Sequence, residues 1–225
     1  MSAGVQASFV IGWMLMLAGG VVFWVMSRSL PAAEKRHGVA AMSIVFIAFA
    51  NYFAMALGQG HVNFNGETVF FARYTDWVLT TPILLVSLAM MATRELARIR
   101  TLLFSLVVAD VYMIVTGLVG NLSSSPHNYY WWIISMVAFI AVLGMIWGPL
   151  RTEAARGPDR AGFDKLAKML TILWLIYPLV WLIGTSGFGW LSYGVESWFY
   201  LILDVTAKVG FGYVALTAAR KLKTT

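Results

Sequence analysis

The sequence contains no cysteine, so disulfide bridges, thiolate metal sites and thiol catalysis are excluded. Charged residues are also scarce, at 12% of the 225 residues, whereas 60% are hydrophobic. A soluble domain of this length would need roughly twice that charged fraction to cover its surface. The composition therefore predicts an integral membrane protein.

The hydrophobic residues fall into seven blocks, each long enough for a helix to cross the ~30 Å hydrocarbon core of a bilayer. The blocks are continuously apolar and do not alternate with a period of two, which favours helices over a β-barrel. We predict transmembrane helices at 5–27, 36–58, 70–92, 98–120, 129–150, 165–185 and 194–219. The first block lacks the basic segment and cleavage site of a signal peptide, so we interpret it as a span. The prediction is an all-α, seven-transmembrane-helix bundle formed by one domain over residues 1–225.

The basic residues are distributed unevenly between the two sides of the predicted bundle. The first, third and fifth connections and the C-terminal tail hold all but two of the 16 lysines and arginines, and the other three connections hold none. This positive-inside pattern predicts a multi-pass protein of the cell membrane with its N-terminus outside and its C-terminus in the cytoplasm. The net charge of +6 is thus a sign of topology and of contact with membrane lipid, and we expect no nucleic-acid partner. The basic residues concerned are Arg28, Lys35, Arg36, Arg94, Arg98, Arg100, Arg151, Arg156, Arg160, Lys165, Lys168, Arg220, Lys221 and Lys223.

Two basic residues depart from this positive-inside pattern, and three aspartates lie with them inside the predicted spans. They are Arg73, Asp76, Asp110, Asp204 and Lys208. An ionisable side chain at bilayer depth costs at least about 2.5 kcal/mol, so each of these residues needs a partner or a function.

The spacing of these residues predicts that several of them meet. Asp204 and Lys208 are four residues apart and share one face of the seventh helix. Arg73, Asp76 and Thr80 share one face of the third helix. Packing the two faces together surrounds one lysine with two carboxylates and a guanidinium. Such a cluster is either a structural ion network that locks the helices, or a lysine whose amine carries a protonated Schiff base between two aspartates.

Aromatic side chains within the spans favour the second interpretation. Trp174, Tyr177 and Trp181 recur at i, i+3 and i+7 and form one inward stripe on the sixth helix. Trp77 and Trp132 also lie away from the interfacial depth at which such rings usually anchor. Aromatic stripes are more often plain packing than a cofactor site, but beside a buried lysine they suit a rigid slot for a long apolar polyene.

Two runs of sequence resemble the signatures of microbial rhodopsins, in particular of bacteriorhodopsin-like proteins. The run RYTDWVLTTP at 73–82 resembles their third-helix signature, and LDVTAKVGFG at 203–212 resembles their retinal-attachment signature. Further similarities to their fourth, fifth and sixth helices lie at 110–120, at Trp131, Trp132 and Ser135, and at 174–184. The resemblance spans nearly the whole chain in order, and it implies a light-driven ion transporter or photoreceptor, not an enzyme.

The resemblance implies a role for each matching residue. Lys208 is expected to bind all-trans retinal as a Schiff base, with Asp76 as primary counterion and proton acceptor and Asp204 as second counterion. Arg73 is expected on the outward side of them, and Thr80 is expected to hydrogen-bond Asp76.

The resemblance also implies the surroundings of this centre. Tyr52 and Tyr177 are expected to hydrogen-bond the counterion region, and Asp110 is expected to pair with Thr81 in a structural role. The implied retinal pocket consists of Trp77, Thr81, Met113, Gly117, Trp132, Ser135, Phe139, Trp174, Tyr177, Pro178 and Trp181.

Three positions on the third helix indicate which ion is moved. Asp76 is a carboxylate, whereas related halide pumps carry a neutral residue there, and related sodium pumps carry Asn there and an acid at the position of Thr80. Ser87 lies 11 residues beyond Asp76, about 16 Å toward the cytoplasm, where many efficient pumps carry a carboxylate proton donor. Serine is too weak an acid to donate at neutral pH. We therefore predict an outward proton pump that is reprotonated from the cytoplasm through water, with Ser87 at most a relay.

The alternative is a phototactic sensory rhodopsin that signals through a membrane transducer, because such sensors also lack the donor. The run Gly148-Pro149-Leu150 is somewhat similar to one sensor group. That group carries a tyrosine and a threonine at the positions of Ile202 and Ala207, so the signalling pair is missing here. We favour the pump and keep the sensor as the alternative.

The remaining expectations concern proton release and partners. Glu196 is a candidate for proton release or an ordinary interfacial acid, and Ser186 stands where bacteriorhodopsin-like pumps have a second glutamate. Trp132 occupies the position at which carotenoid-binding relatives carry glycine, so we expect no carotenoid antenna. We expect a homo-oligomer and no metal site. The histidines expected at the solvated surface are His37, His61 and His127.

Overall fold

The computed structural model describes residues 1–222, and within that range it has seven helices long and apolar enough to span a membrane. They are α1 (Ala3–Arg28), α2 (Lys35–Ala56), α3 (Phe71–Ala92), α4 (Arg100–Asn121), α5 (His127–Ala154), α6 (Arg160–Ile183) and α7 (Tyr193–Lys221). The seven predicted spans are therefore confirmed. Lys223, which the charge pattern assigned to the C-terminal tail, lies outside the described residues.

Consecutive helices pack against each other, and α7 closes the bundle by packing against α1, α2 and α6. The helix α3 contacts α2, α4 and α6, so its side chains reach the interior from several directions. We call the end formed by residues 29–34, 93–99 and 155–159 the basic end of the bundle. The opposite end, formed by residues 57–70, 122–126 and 184–192, is the hairpin end.

The helices α5 and α6 are longer at the basic end than the hydropathy pattern predicts. The helix α5 continues to Ala154 through a wide π-helical turn at Ile146–Leu150, and α6 begins at Arg160 rather than at residue 165. The predicted boundaries followed apolarity, whereas these turns carry charged side chains that are tied together. Arg151 Nε donates 3.0 Å to Asp164 Oδ1 across the connection.

The second connection contains a short β-hairpin that an all-α prediction misses. Strands β1 (Val62–Phe64) and β2 (Glu67–Val69) pair antiparallel around Asn65 and Gly66, whose φ angles are 51° and 85°. Two successive positive φ angles define the turn type that favours Asn-Gly, so this dipeptide was the available signal. Asn65 Nδ2 donates 2.7 Å to Ser124 Oγ and so ties the hairpin to the fourth connection.

The histidine expectation is wrong for one of the three residues. His61 and His127 are exposed, as expected, but His37 is 0% exposed. Its position near the end of a span suggested a solvated surface, yet it lies in the first turn of α2 on the face that packs into the bundle. Glu34, one turn earlier, is also buried, and its Oε2 lies 3.3 Å from His37 Nε2.

One cluster of buried apolar residues extends through the basic half of the bundle. Leu84, Leu85 and Leu88 of α3 are buried together with Leu170 of α6 and Phe211 of α7. This packing leaves the basic half of α3 in an apolar environment.

A close approach between α1 and α2 gives a test of the packing. A Cβ atom at Gly12 would lie 2.2 Å from Tyr52 Cδ1, whereas a Cβ atom at Gly144 would meet no atom within 4 Å. Because overpacking of a tight contact costs about 1–3 kcal/mol, we expect Gly12→Ala to unfold at a lower temperature than the parent protein. Gly144→Ala is the matched control and should unfold like the parent. Circular dichroism of the detergent-solubilised proteins measures both, and equal losses would contradict the packing described.

Candidate functional site

A buried ion cluster lies at the middle of the bundle. Lys208 of α7 is 2% exposed, and its Nζ donates 2.5 Å to Asp76 Oδ2 of α3. The same Nζ lies 3.0 Å from Asp204 Oδ1, one turn earlier on α7. The meeting of one lysine with two aspartates is therefore confirmed. Mutual pairing compensates for much of the cost of burying these charges.

The backbone around Lys208 departs from a regular α-helix. Residues Thr206–Gly210 of α7 form a π-helical turn, and Lys208 lies at its centre. Single π-turns inside α-helices occur frequently at functional sites. The turn holds the lysine between the aspartate of its own helix and the aspartate of α3.

Asp204 is the more heavily hydrogen-bonded of the two carboxylates. Tyr52 donates 2.7 Å to its Oδ2, and Tyr177 donates 2.8 Å to its Oδ1. Trp77 Nε1 also donates to Oδ1, at 3.0 Å. Three neutral donors and the Lys208 ammonium therefore stabilise Asp204 as an anion. The hydrogen bonds expected from Tyr52 and Tyr177 are present, since both tyrosines donate to Asp204.

Asp76 has a different environment. Its Oδ2 accepts from Lys208, but its buried Oδ1 accepts no hydrogen bond from the described residues. Thr80 lies beside Asp76 as predicted, and its hydroxyl donates 2.9 Å to the Asp76 main-chain carbonyl. Asp76 is therefore less fully hydrogen-bonded than Asp204, both of whose oxygens accept hydrogen bonds.

Arg73 does not join the cluster around the lysine, contrary to the sequence-based prediction. Within the described chain, no carboxylate lies within 4.0 Å of its guanidinium group, which donates 3.2 Å to Ser197 Oγ. The guanidinium also lies over the rings of Tyr200, at 4.8 Å, and Phe9, at 5.3 Å. The prediction assumed that a shared helix face brings all three charges together. The side chain points toward the hairpin end, to Ser197 and Tyr200. This direction fits the separate expectation, drawn from the family resemblance, that Arg73 lies to one side of the aspartates.

An apolar cavity extends from Lys208 between α3, α4, α5, α6 and α7. Its lining includes every residue predicted for the pocket, namely Trp77, Thr81, Met113, Gly117, Trp132, Ser135, Phe139, Trp174, Tyr177, Pro178 and Trp181. The four tryptophans and the buried amine form a slot of the kind that the aromatic spacing predicted.

Sequence reasoning missed several residues of this cavity. They are Tyr74, Leu84, Ile114, Met136, Tyr200 and Ala207. Helical spacing would have found some of them, because Tyr200, Asp204 and Lys208 follow each other at intervals of four. Tyr74 likewise lies one turn before Trp77 on α3.

Asp110 and Thr81 form the expected pair between α4 and α3. Thr81 Oγ1 donates 2.6 Å to Asp110 Oδ2, and Asp110 is fully buried. Asp110 Oδ1 accepts no hydrogen bond from the described residues. The bond from Thr81 to Oδ2 is therefore the principal polar contact of the Asp110 side chain.

The two outlying candidates, Ser87 and Glu196, do not contact the lysine cluster. Ser87 is buried on α3 among the leucines of the apolar core. Glu196 is buried at the hairpin end, where its Oε2 accepts from Thr185 N at 2.9 Å and from Thr185 Oγ1 at 3.0 Å. A second, polar cavity at that end is lined by Glu196 together with Arg73 and Glu67.

Comparison with known proteins identifies the class of this seven-helix chain. Residues 3–222 match the family model described as bacteriorhodopsin-like protein. The chain belongs to the bacteriorhodopsin-like family, whose members are light-driven ion pumps rather than enzymes. It is accordingly a multi-pass protein of the cell membrane.

Individual relatives agree with this assignment. Archaerhodopsin-2 of Halobacterium sp. is 40% identical over 215 residues, which cover 92% of this chain and 82% of that protein. Bacteriorhodopsin of Halobacterium salinarum is 37% identical over 215 residues, which cover 92% and 80%. The crystal structure of thermophilic rhodopsin from Rubrobacter xylanophilus superposes with a TM-score of 0.94 at 37% identity, covering 97% of this chain and 96% of that one. The crystal structure of a cyanorhodopsin from Calothrix gives a TM-score of 0.92 at 36% identity, covering 99% and 97%.

The Asp110–Thr81 contact can be tested by removing its donor. Thr81→Val keeps the shape of the side chain but leaves a buried carboxyl group without its hydrogen bond, which costs about 1–3 kcal/mol. We therefore expect a lower unfolding temperature. Thr116→Val is the matched control, because the hydroxyl of the buried Thr116 bonds only carbonyls of its own helix. If both variants lose the same stability, the interhelical bond does not stabilise the bundle.

Proposed function

We propose that the protein is a light-driven outward proton pump that binds all-trans retinal on Lys208. The observation that carries the proposal is the asymmetry of the two aspartates: Asp76 contacts the lysine amine and keeps one oxygen unbonded, while Asp204 is held by three other donors. Family membership supports the general activity, since family members are light-driven ion pumps. The relatives named archaerhodopsin and bacteriorhodopsin point in the same direction.

The cavity fits the chromophore. A buried primary amine at the end of an apolar, aromatic slot is what a covalently attached polyene aldehyde needs. When bound, retinal would supply a conjugated polyene that isomerises on absorbing light, joined to the lysine nitrogen through a protonated imine. Trp77, Trp132 and Trp181 would bound the slot and keep water away from the lysine. Ser135 Oγ donates 2.8 Å to Met113 O and so would fix the wall between α4 and α5.

Asp76 is the proton acceptor in this proposal. Its free Oδ1 can take the proton without losing a hydrogen bond, and its Oδ2 already touches the donor nitrogen. Asp204 remains ionised because Tyr52, Tyr177 and Trp77 all donate to it. It preserves one negative charge beside Lys208 after Asp76 has been neutralised.

We infer outward transport from the resemblance to bacteriorhodopsin-like pumps, and the charge pattern predicts which end of the bundle faces outward. The basic end faces the cytoplasm, and the hairpin end faces outward. Arg73 and Glu196 then lie on the outward side of Asp76, on the lining of the polar cavity. Glu196 is our candidate for the group that releases the proton into this cavity.

The return of a proton comes from the cytoplasmic side. Ser87, at the position of the usual donor, is buried among leucines and has no acidic proton to give. Reprotonation therefore depends on protons that arrive from the basic end. The protein is expected to act as one domain that forms homo-oligomers in the membrane, without a carotenoid antenna.

Proton pumping can be measured directly in bacterial cells that express the chain and are supplied with all-trans retinal. Illumination of an unbuffered suspension should acidify the medium reversibly, and a protonophore should abolish the change. Asp76→Asn should remove the acidification while the cells remain coloured, because the acceptor is lost but the lysine is kept. Lys208→Ala should abolish the colour. Alkalinisation would reverse the proposed direction, and a coloured protein that moves no protons would favour the sensory alternative.

The absence of a carboxylate at Ser87 makes the last stage of the light cycle depend on external protons. After a flash, recovery of the dark absorption should slow as the pH is raised from neutral toward pH 9, because fewer protons are available for uptake. Azide, a small weak acid, should speed recovery by carrying protons inward. A recovery rate independent of pH between 5 and 9 would contradict reprotonation from the medium.

A further inference from the structure

A second buried pair of ionisable groups lies at the basic end, away from the lysine cluster. Glu34 and His37 are 3% and 0% exposed, and Glu34 Oε2 lies 3.3 Å from His37 Nε2. Neither that carboxylate oxygen nor either imidazole nitrogen makes a hydrogen bond of normal geometry with the described residues. An unsatisfied buried polar group costs about 1–3 kcal/mol, so three such atoms in one place need a reason.

Helix capping does not account for the pair. Glu34 is the N-cap residue of α2, where a side-chain oxygen usually accepts a hydrogen bond from a main-chain N–H of the first turn. Its side chain makes no such bond. The carboxylate lies beside the imidazole instead, with its Oε2 3.3 Å from His37 Nε2.

The basic residues nearest the pair compensate the charge of Glu34. Arg94, just past the end of α3, brings its Nη2 to 3.9 Å from Glu34 Oε1. Arg36 of α2 donates 3.1 Å from its Nη1 to the Arg94 main-chain carbonyl. If His37 gives up its proton, Glu34 therefore still faces a positive charge. The pair can thus lose one proton without leaving an uncompensated buried carboxylate.

Further charged groups at the basic end lie on α2 itself and on the neighbouring helices. On α2 itself, Lys35 lies between Glu34 and His37 in sequence. On α1, the Arg28 guanidinium stacks 3.6 Å from the centre of the Trp24 ring. On α7, Arg220 donates 3.0 Å to the Met26 carbonyl. Glu95, after α3, and Lys221, at the end of α7, lie at the same end of the bundle. Basic residues therefore outnumber acidic ones around this end of α2.

The pair and Ser87 are both associated with the part of α3 that leads to the basic end. Ser87 lies five residues before the last residue of α3, about 8 Å along the helix axis. The buried side chains of Leu88, Met91 and Ala92 occupy the intervening stretch of α3. The end of α3, beyond which Arg94 approaches Glu34, therefore lies about 8 Å past the missing donor position, with apolar side chains in between.

We infer that Glu34 and His37 form the proton-loading site on the cytoplasmic side, which replaces the carboxylate absent at Ser87. The pair takes one proton from water at the basic end and yields the same proton inward when the bundle admits water past Leu88. This inference rests on the proposed pump, because it supplies the proton that the pump consumes.

The kinetic test compares two variants with two controls in the retinal-loaded protein. In the parent protein, recovery of the dark absorption should reach a plateau at low pH, where the pair is always loaded, and slow only above it. His37→Gln and Glu34→Gln should lose the plateau. At pH 8 they should recover at least about tenfold more slowly than the parent, as expected when a positioned proton donor is removed. His61→Gln and His127→Gln, which change exposed histidines away from the pair, should behave like the parent.

Two measurements separate this role from a merely structural one. Azide should restore the recovery rate of both variants, since it replaces a lost donor but does not repair a misfolded helix. In the chain without retinal, nitrogen NMR of labelled imidazoles should show that Glu34→Gln changes the titration of His37 and leaves that of His61 unchanged. Retention of the plateau in both variants, equal slowing in the controls, failure of azide or an unchanged His37 titration would each overturn the inference. None of these outcomes bears on whether the parent protein acidifies the medium.

Discussion

The contact of one ammonium with two carboxylates in an apolar interior is the constraint on which the bundle depends. Each charge would be costly alone at bilayer depth, so Lys208, Asp76 and Asp204 must remain together. That requirement fixes the facing sides of α3 and α7. Tyr52 and Tyr177 extend it to α2 and α6, because both hydrogen-bond Asp204. Four helices are therefore held in register by one carboxylate and its neighbours.

Ionisable groups occur at separate depths along the axis, with apolar packing between them. Glu196 lies near the hairpin end, Asp76 at the middle, and the buried pair of Glu34 and His37 at the basic end. The leucines around Ser87 separate the last two levels. A proton cannot cross such an apolar stretch without water. Transport of protons in one direction therefore requires that only one of the stretches be hydrated at a time. The packing of the helices keeps the ionisable groups apart, and the chemistry at Lys208 must determine the order in which the stretches become hydrated.

The sequence predicted most of the fold and of the lysine site because both follow from patterns within single helices. Spacing on one helix places Asp204 and Lys208 together, and it also identifies the inward tryptophans of α6. Predictions failed where the outcome depends on side-chain direction or on contacts between elements. Arg73 shares a face with Asp76 but points toward Tyr200 and Ser197. His37 is near a span end yet faces inward, which hydropathy alone does not register.

The wide turn at Thr206–Gly210 has a consequence for the rest of α7. A π-turn holds one more residue than an α-helical turn, and that surplus residue can migrate along a helix by exchanging neighbouring hydrogen bonds. Each step of such migration rotates a residue by about 100° about the helix axis, since an α-helix has about 3.6 residues per turn. A shift of this turn by one residue would therefore rotate the backbone that carries Lys208, while Asp204 before the turn and Arg220 beyond it are hydrogen-bonded to α2 and α1.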